Sequence, residues 1–367
     1  MKFVAKKEQL QGHLLRVHGA SEPKVMPILA NLLVSVLDGV VTIMATDLEI
    51  QLKTSFQLNG PSSDGSITVP TKKLVDIVKS LPEASDVTFT LKGDKVIVSS
   101  GRSRFTLSTL PADQFPVIQM ESTDLSVELE ASSISNLVKQ TSYAMAQQDV
   151  RYYLNGMLFE LEGNKLTTVA TDGHRLAMAS AELKSAVDQT KQVIIPRKGI
   201  LEVSKTLPDV GGDIAMTVSN NHVQLEIDGF VFISKLVEGK FPDYKRVIPS
   251  KNKKILVADV NELKNILRRA SILSNDKYKG VRLLLKPDEL EVMAQNAEQE
   301  QSDDLIAVEY TDEPMEIGFN VVYLMDALNN LSEDQVSIKF NAANDSIIIN
   351  DLAMTGSAEH VCMPMKL

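Results

Sequence analysis

Three side chains carry groups that could move protons: Asp149, Asp172 and His174. An aspartate that orients an imidazole, which in turn takes a proton, is half of a hydrolytic site. The other half is a nucleophile, and the sequence signals none: there is no Gly-x-Ser-x-Gly elbow. The histidines His13, His18, His174, His222 and His360 lack metal-ligand spacing. A phosphate-cradling loop of the Gly-x4-Gly-Lys type is missing too. Asp172-Gly173 reads most simply as a turn with glycine at positive φ. Two readings of the stretch therefore stand side by side. One is a hydrolase built on Asp172 and His174; the other is a binding lip, Gly173-His174-Arg175-Leu176. The C-terminal Val361-Cys362-Met363-Pro364-Met365-Lys366-Leu367 is apolar nearly to its end. It reads as a closing strand, as an adaptable methionine-lined pocket, or as both, because Pro364 removes a ladder donor.

The lip ends a patterned stretch. Residues 158–161 and 166–170 are short apolar or β-branched runs around Glu162-Gly163-Asn164-Lys165, which reads as a β-hairpin. Thr171-Asp172-Gly173 then breaks the second strand. The same order occurs earlier: residues 32–37, Asp38-Gly39, residues 41–45, then Thr46-Asp47. Thr46-Asp47 lies 125 positions before Thr171-Asp172; Pro70-Thr71-Lys72-Lys73 and Phe115-Pro116 lie 126 before Pro196-Arg197-Lys198-Gly199 and Phe241-Pro242. A more diverged copy follows, in which Gln295-Asn296 takes the Thr-Asp place. The chain thus reads as three copies of a unit of roughly 120 residues, with polar joints near 121–124 and 250–254. The expected domains are 1–122, 123–250 and 251–367.

Each unit offers two helices by apolar spacing: 8–18 and 72–80, 132–146 and 198–206, 260–273 and 321–331. The rest alternates like strand. The fold class is α+β, two helices on antiparallel sheet, three times over.

At 367 residues, 44% hydrophobic and net −10, the chain looks a poor partner for nucleic acid. The distribution says otherwise. Counted with their flanking residues, over 6–18, 71–80, 132–146, 197–205, 259–273 and 321–331, five of the six helical segments are net basic, and together the six carry +7, leaving −17 for the remainder. A basic helical face suits phosphate backbones, while an acidic body discourages adhesion elsewhere. No aromatic platform or recognition-helix signature implies base readout. The single Cys362 excludes a disulfide framework and a cysteine metal site. There is no apolar signal-peptide core after Lys2, Lys6 and Lys7, and no run of the roughly 18 apolar residues that a span needs. These features predict a soluble, cytoplasmic protein.

Five strings carry a resemblance: Gln148-Asp149-Val150-Arg151-Tyr152-Tyr153-Leu154-Asn155-Gly156, Thr171-Asp172-Gly173-His174-Arg175-Leu176, Pro196-Arg197-Lys198-Gly199, Phe241-Pro242-Asp243-Tyr244 and Met363-Pro364-Met365. With the three-unit layout, they resemble the bacterial DNA polymerase III β subunit family of sliding clamps along the whole chain. The resemblance implies a non-catalytic, cofactor-free DNA replication protein. Two chains would join head to tail as a homodimeric ring around double-stranded DNA, with helices lining the hole. Partners would be the polymerase III α subunit, the δ subunit of the clamp loader, and other replication and repair proteins carrying short clamp-binding peptides. By similarity, a partner peptide meets Leu154, Thr171, Gly173, His174, Arg175, Leu176, Pro242, Arg246, Val247, Tyr278, Ser346, Val361, Met363, Pro364 and Met365. Tyr278, Cys362 and Lys366 depart from common family choices. DNA contacts carry over to Lys24, Lys72, Lys73, Gln148, Tyr152, Tyr153, Arg197 and Lys198. The ring joint falls on Arg102, Arg104, Phe105 and Leu107 on one side and Ile272, Leu273, Glu298 and Glu300 on the other. The alternative is a peptide-binding scaffold that never meets DNA.

Overall fold

The structure, a computed structural model, describes residues 1–22, 26–120, 123–207, 211–353 and 358–366. Among the described residues six α-helices punctuate the chain: α1 Lys7–Val17, α2 Thr71–Ser80, α3 Ala131–Thr141, α4 Arg197–Thr206, α5 Val260–Ile272 and α6 Val321–Asn329. They fall on the six expected segments. The one clear difference is α3, which stops at Thr141 and tightens into a 3₁₀ turn over Ser142–Ala144. Thr141 Oγ1 bonds back to the Leu137 carbonyl at 2.6 Å, a back-bond that competes with the next helical turn. The start of α5 is fixed by Asp259, whose carboxylate accepts from Asn261 N and Glu262 N at 2.8 Å.

Two compact units divide the contacts: residues 1–132 with 201–236, and residues 133–200 with 237–367. In the first, strands Lys2–Lys6, Asp86–Lys92, Lys95–Ser100 and Ser103–Ser108 form one antiparallel sheet in that order. An eight-stranded sheet runs Gly65–Pro70, Asn31–Leu37, Val40–Thr46, Ile50–Gln57, Phe230–Lys235, His222–Ile227, Asp213–Val218, Leu125–Glu130. Its centre joins two repeats, since Phe230 pairs with Thr54 and Ser234 with Ile50. Leu10, Leu14 and Val17 of α1 and Leu74, Val75 and Val78 of α2 are buried, while Lys72, Lys73 and Lys79 stay exposed.

In the second unit a six-stranded sheet runs Gly156–Thr171, Arg175–Pro196, Ala358–Cys362, Ile347–Asp351, Gln335–Phe340, Lys254–Asp259. It too crosses repeats, pairing Leu176 with Val361. A four-stranded sheet orders Gln301–Ala307, Glu289–Gln295, Gly280–Lys286, Met315–Asn320. Leu263, Ile266 and Leu267 of α5 and Leu324 and Leu328 of α6 share one core with Leu283, Val292 and Phe340. The expected turn at 162–165 lies within a continuously extended segment. There the residues are exposed, Gly163 adopts φ 58°, and the pairing register shifts. The two halves do not pair with each other as a hairpin would; both pair with the strand Arg175–Pro196, Leu158 facing Ile194 and Val169 facing Met178.

Gly156 sits where the neighbouring strand approaches closely. A Cβ there would stand 2.6 Å from the Ile195 carbonyl oxygen and 2.8 Å from Ile194 Cγ2. Backbone cannot yield as a side chain can, so Gly156→Ala is expected to cost about 1–3 kcal/mol. Chemical denaturation read by far-ultraviolet circular dichroism checks this.

Candidate peptide cleft and the surfaces around it

The turn at Thr171–Arg175 is built from its own side chains. Thr171 Oγ1 donates to the Arg175 carbonyl at 2.6 Å and accepts from Gly173 N at 3.1 Å. Asp172 Oδ1 accepts from His174 N at 2.9 Å and Arg175 N at 3.0 Å. The earlier copy repeats the pattern. Thr46 Oγ1 donates to Ile50 O and accepts from Leu48 N, and Asp47 Oδ1 accepts from Glu49 N and Ile50 N. The residue after the aspartate has positive φ in both, 77° for Leu48 and 89° for Gly173. Glycine relieves that strain at 173 and also leaves room. An added Cβ would lie 3.1 Å from the Arg151 guanidinium.

Arg175 anchors the turn. Its Nε donates to Asp172 Oδ2 at 3.0 Å, NH1 to Asp326 Oδ2 at 2.6 Å, and NH2 to the Tyr143 carbonyl at 3.0 Å. Tyr323 and Tyr143 place their ring faces 4.6 and 5.1 Å from the guanidinium carbon. Only 12% of the side chain is exposed. The acid–base set is not assembled, because Asp172 is engaged by the turn and by Arg175. Asp149 is equally committed. The hydrogen bonds from Arg151 hold its carboxyl down at about 2.

His174 is exposed and stacks on Tyr323, ring centroids 6.3 Å apart. Its carbonyl accepts from Met363 N at 3.0 Å, and Met365 N donates to Gly318 O at 2.8 Å. Residues 363–365 therefore form a strap from the turn to the strand Met315–Asn320. Beneath it, Leu176 and Val361 join Leu158, Ile194, Phe241 and Tyr244 in one apolar cluster, with Val247 packed against it. Leu154, Leu176 and Val361 are at most 2% exposed, a floor rather than a rim. Arg246, Val247 and Ser346 line a hollow of about 300 Å³, and Arg246 pairs with Asp243 at 2.9 Å. Pro242 is exposed. Tyr278, 53% exposed, lines a different cavity together with Met365. Of the expected peptide residues, Thr171–Leu176, Met363–Met365, Leu154 and Val361 make turn, strap and floor, Arg246, Val247 and Ser346 line a flanking hollow, and Tyr278 lies in another cavity.

Sequence reasoning missed Tyr143, Tyr323, Asp326 and His360. Tyr323 and Asp326 are one helical turn apart on α6, a polar pair legible in principle. Tyr143 was concealed because α3 was read through to residue 146. Burial pushes the Cys362 thiol up to about 12, so this cysteine is a packed residue and not a reactive one.

Of the expected DNA contacts, Lys24 lies outside the described residues. Lys72 and Lys73 are exposed on the first turn of α2. Gln148 has φ 57°, and Tyr152 is 73% exposed. Tyr153 instead packs partly against the apolar cluster. Arg197 opens α4 and reaches the Met145 carbonyl at 3.3 Å, with Lys198 beside it. At the expected joint, Arg104 is exposed, Phe105 half-buried and Leu107 buried on the edge strand Ser103–Ser108. Ile272 is 76% exposed and Leu273 half-buried. Glu298 and Glu300 are exposed just before the edge strand Gln301–Ala307. Among the described residues no helix is long and apolar enough to cross a membrane.

Family profiles described as the N-terminal, central and C-terminal domains of the DNA polymerase III beta subunit match residues 1–119, 128–243 and 245–366. The beta sliding clamps of Vibrio cholerae and Escherichia coli are 43% and 42% identical over 368 aligned positions, covering all of both chains. The crystal structure of DNA polymerase III subunit beta from Pseudomonas aeruginosa superposes with TM-score 0.97 at 42% identity over both full chains. A sliding clamp from the same organism bound to griselimycin gives 0.98 at 42% identity, again over both full chains.

His360 supplies the pH prediction. It is 1% exposed, its Nδ1 bonded to Tyr143 Oη at 2.9 Å and its Nε2 without a partner among the described residues, and burial lowers its pKa to about 4. The unfolded chain takes up this proton from about pH 6.5, so stability falls as pH drops toward 4, by up to about 3 kcal/mol. In His360→Gln that part of the pH dependence should vanish, which denaturant titrations from pH 7 to 4 measure.

Proposed function

We infer the function from one premise: the chain belongs to the DNA polymerase III beta subunit family. It is a DNA replication processivity factor, a sliding clamp made of three clamp domains that tethers the polymerase by a peptide-binding cleft. The carrying observation is the run of three domain profiles in order over nearly the whole chain, with the Thr171–Arg175 turn and its strap intact where the cleft is expected. The domains are read as 1–122, 123–250 and 251–367.

The finer reading is a homodimeric ring around duplex DNA. Two edge strands support it. Ser103–Ser108 carries Arg104 beside Arg102, and Gln301–Ala307 carries Asp303 and Asp304 after Glu298 and Glu300. Edges of opposite charge on two chains can add into one sheet, head to tail, and such a heterologous joint closes. Basic helices turned toward the hole would hold phosphates through solvated contacts and so allow sliding. Tethering raises the effective concentration of a partner, which rebinds before it escapes. The partners are the polymerase α subunit, the loader δ subunit and other peptide-bearing replication and repair proteins. The chain works in the cytoplasm, without a cofactor or catalysis of its own.

A ring held by topology stays on nicked circular DNA and slides off once the circle is cut, whereas a scaffold that ignores DNA shows neither behaviour. Ile272→Ala with Leu273→Ala should give monomers by light scattering and abolish retention on the circle. Dimers of unchanged mass would refute the joint. His174→Ala should weaken a cleft-binding polymerase peptide roughly tenfold, as removal of a central contact does. Calorimetric titration measures it.

A further inference from the structure

A cavity of about 510 Å³ opens on the face turned away from the core in the sheet that contains Glu289–Gln295 and Gln301–Ala307. Its size is that of a ligand site. Tyr278, Met293 and Met365 supply apolar wall, and Arg282, Asp303 and Lys366 supply charge. None of Arg282, Met293, Asp303 and Lys366 belongs to the expected peptide set. Tyr278 and Met365 do, and Met365 is the far end of the strap that starts at the His174 carbonyl. The strap thus links this cavity to the cleft along the chain, with Met365 on the cavity wall and Met363 on the turn.

We propose that this cavity is a second docking position for the partner segment that occupies the cleft. It takes the residues flanking the docking peptide, one apolar side chain against Met293 and Met365 and one carboxylate at Arg282 and Lys366. The inference rests on the peptide-cleft reading above. The charge argument is local. Arg282 spends NH1 on Glu316 at 3.3 Å and keeps further guanidinium donors. Lys366 is exposed at the rim. A carboxylate entering here meets Lys366 and the remaining donors of Arg282, with Asp303 also on the wall and Glu316 already engaged by Arg282. The apolar part is met by Met293, half-buried on a face whose neighbours are polar, and methionine adapts to varied side chains.

The test compares three peptides by fluorescence anisotropy: a cleft-binding polymerase peptide, the same peptide with a Gly-Ser extension, and the same with a Leu-Asp-Asp extension, each extension placed at either end. At one end, Leu-Asp-Asp should tighten binding about five- to tenfold over Gly-Ser. Met293→Ala with Lys366→Glu should erase that gain and leave the unextended peptide unchanged, which also reports an intact fold. The proposal falls if neither extension tightens binding, if the gain survives in the double variant, or if Leu-Lys-Lys tightens it equally. Should the unextended peptide fail to bind at all, the cleft reading falls first and takes this one with it. A change of oligomeric state in the double variant without peptide would identify a second copy as the occupant and overturn the proposal.

Discussion

Burying a guanidinium commits everything around it. Arg175 is nearly out of solvent, and its charge is tolerable there only because Asp172, Asp326 and the Tyr143 carbonyl accept its protons. These partners come from a turn, from α6 and from the segment after α3, so one side chain sets three backbone pieces against each other. Its neighbour in the sheet is Cys362, and the next residue, Met363, bonds the carbonyl of His174. The strap is therefore placed by the same turn that Arg175 holds. A partner loss would leave an uncompensated charge, which costs more than the pair contributes, about 3–5 kcal/mol for a fully buried case. Arginine is suited to this work where lysine is not, since its planar fork serves three acceptors at once while its faces stack on Tyr143 and Tyr323.

The second constraint is hydrogen bonding between repeats. An antiparallel sheet whose outer strand is left unpaired exposes a row of donors and acceptors. The chain removes two such edges internally by pairing Phe230–Lys235 with Ile50–Gln57 and Arg175–Pro196 with Ala358–Cys362. Continuous sheets are why contacts divide into two units although the sequence repeats three times. A repeat in sequence is a unit of duplication, while a compact unit is a set of contacts, and sheets that cross the repeat boundaries separate the two. Ser103–Ser108 and Gln301–Ala307 are outermost in their sheets, and each carries charge rather than cover.

Much of this was legible beforehand, for identifiable reasons. All six helices were visible because their apolar positions recur at helical spacing on amphipathic faces. The Thr-Asp turn was visible because it needs particular side chains at particular positions, and Thr46-Asp47 and Thr171-Asp172 make the same four bonds. What escaped was tertiary. Nothing local tells that Arg175 reaches Asp326, a partner 151 positions away. The end of α3 escaped because Thr141 bonds its own backbone, a choice that apolar periodicity does not register. The burial of Leu154 and Val361 escaped as well, because a resemblance carries over residue identity but not depth.

Charge placement links the fold to the function. Net charge describes the long-range field, and at −10 it opposes approach to DNA. Contacts are made within a Debye length, about 8 Å at physiological salt, where local distribution matters more than the total. The exposed lysines of α2 and the arginine and lysine that open α4 are local in this sense. An acidic body with basic helices would repel DNA from most directions and accept it at the helices. That combination disfavours unproductive binding outside a ring without weakening contact inside it. Loose, solvated phosphate contacts also allow movement along the duplex, which base-specific hydrogen bonds would arrest. The absence of recognition chemistry on these helices is therefore part of the design for a protein that must hold DNA without stopping on it.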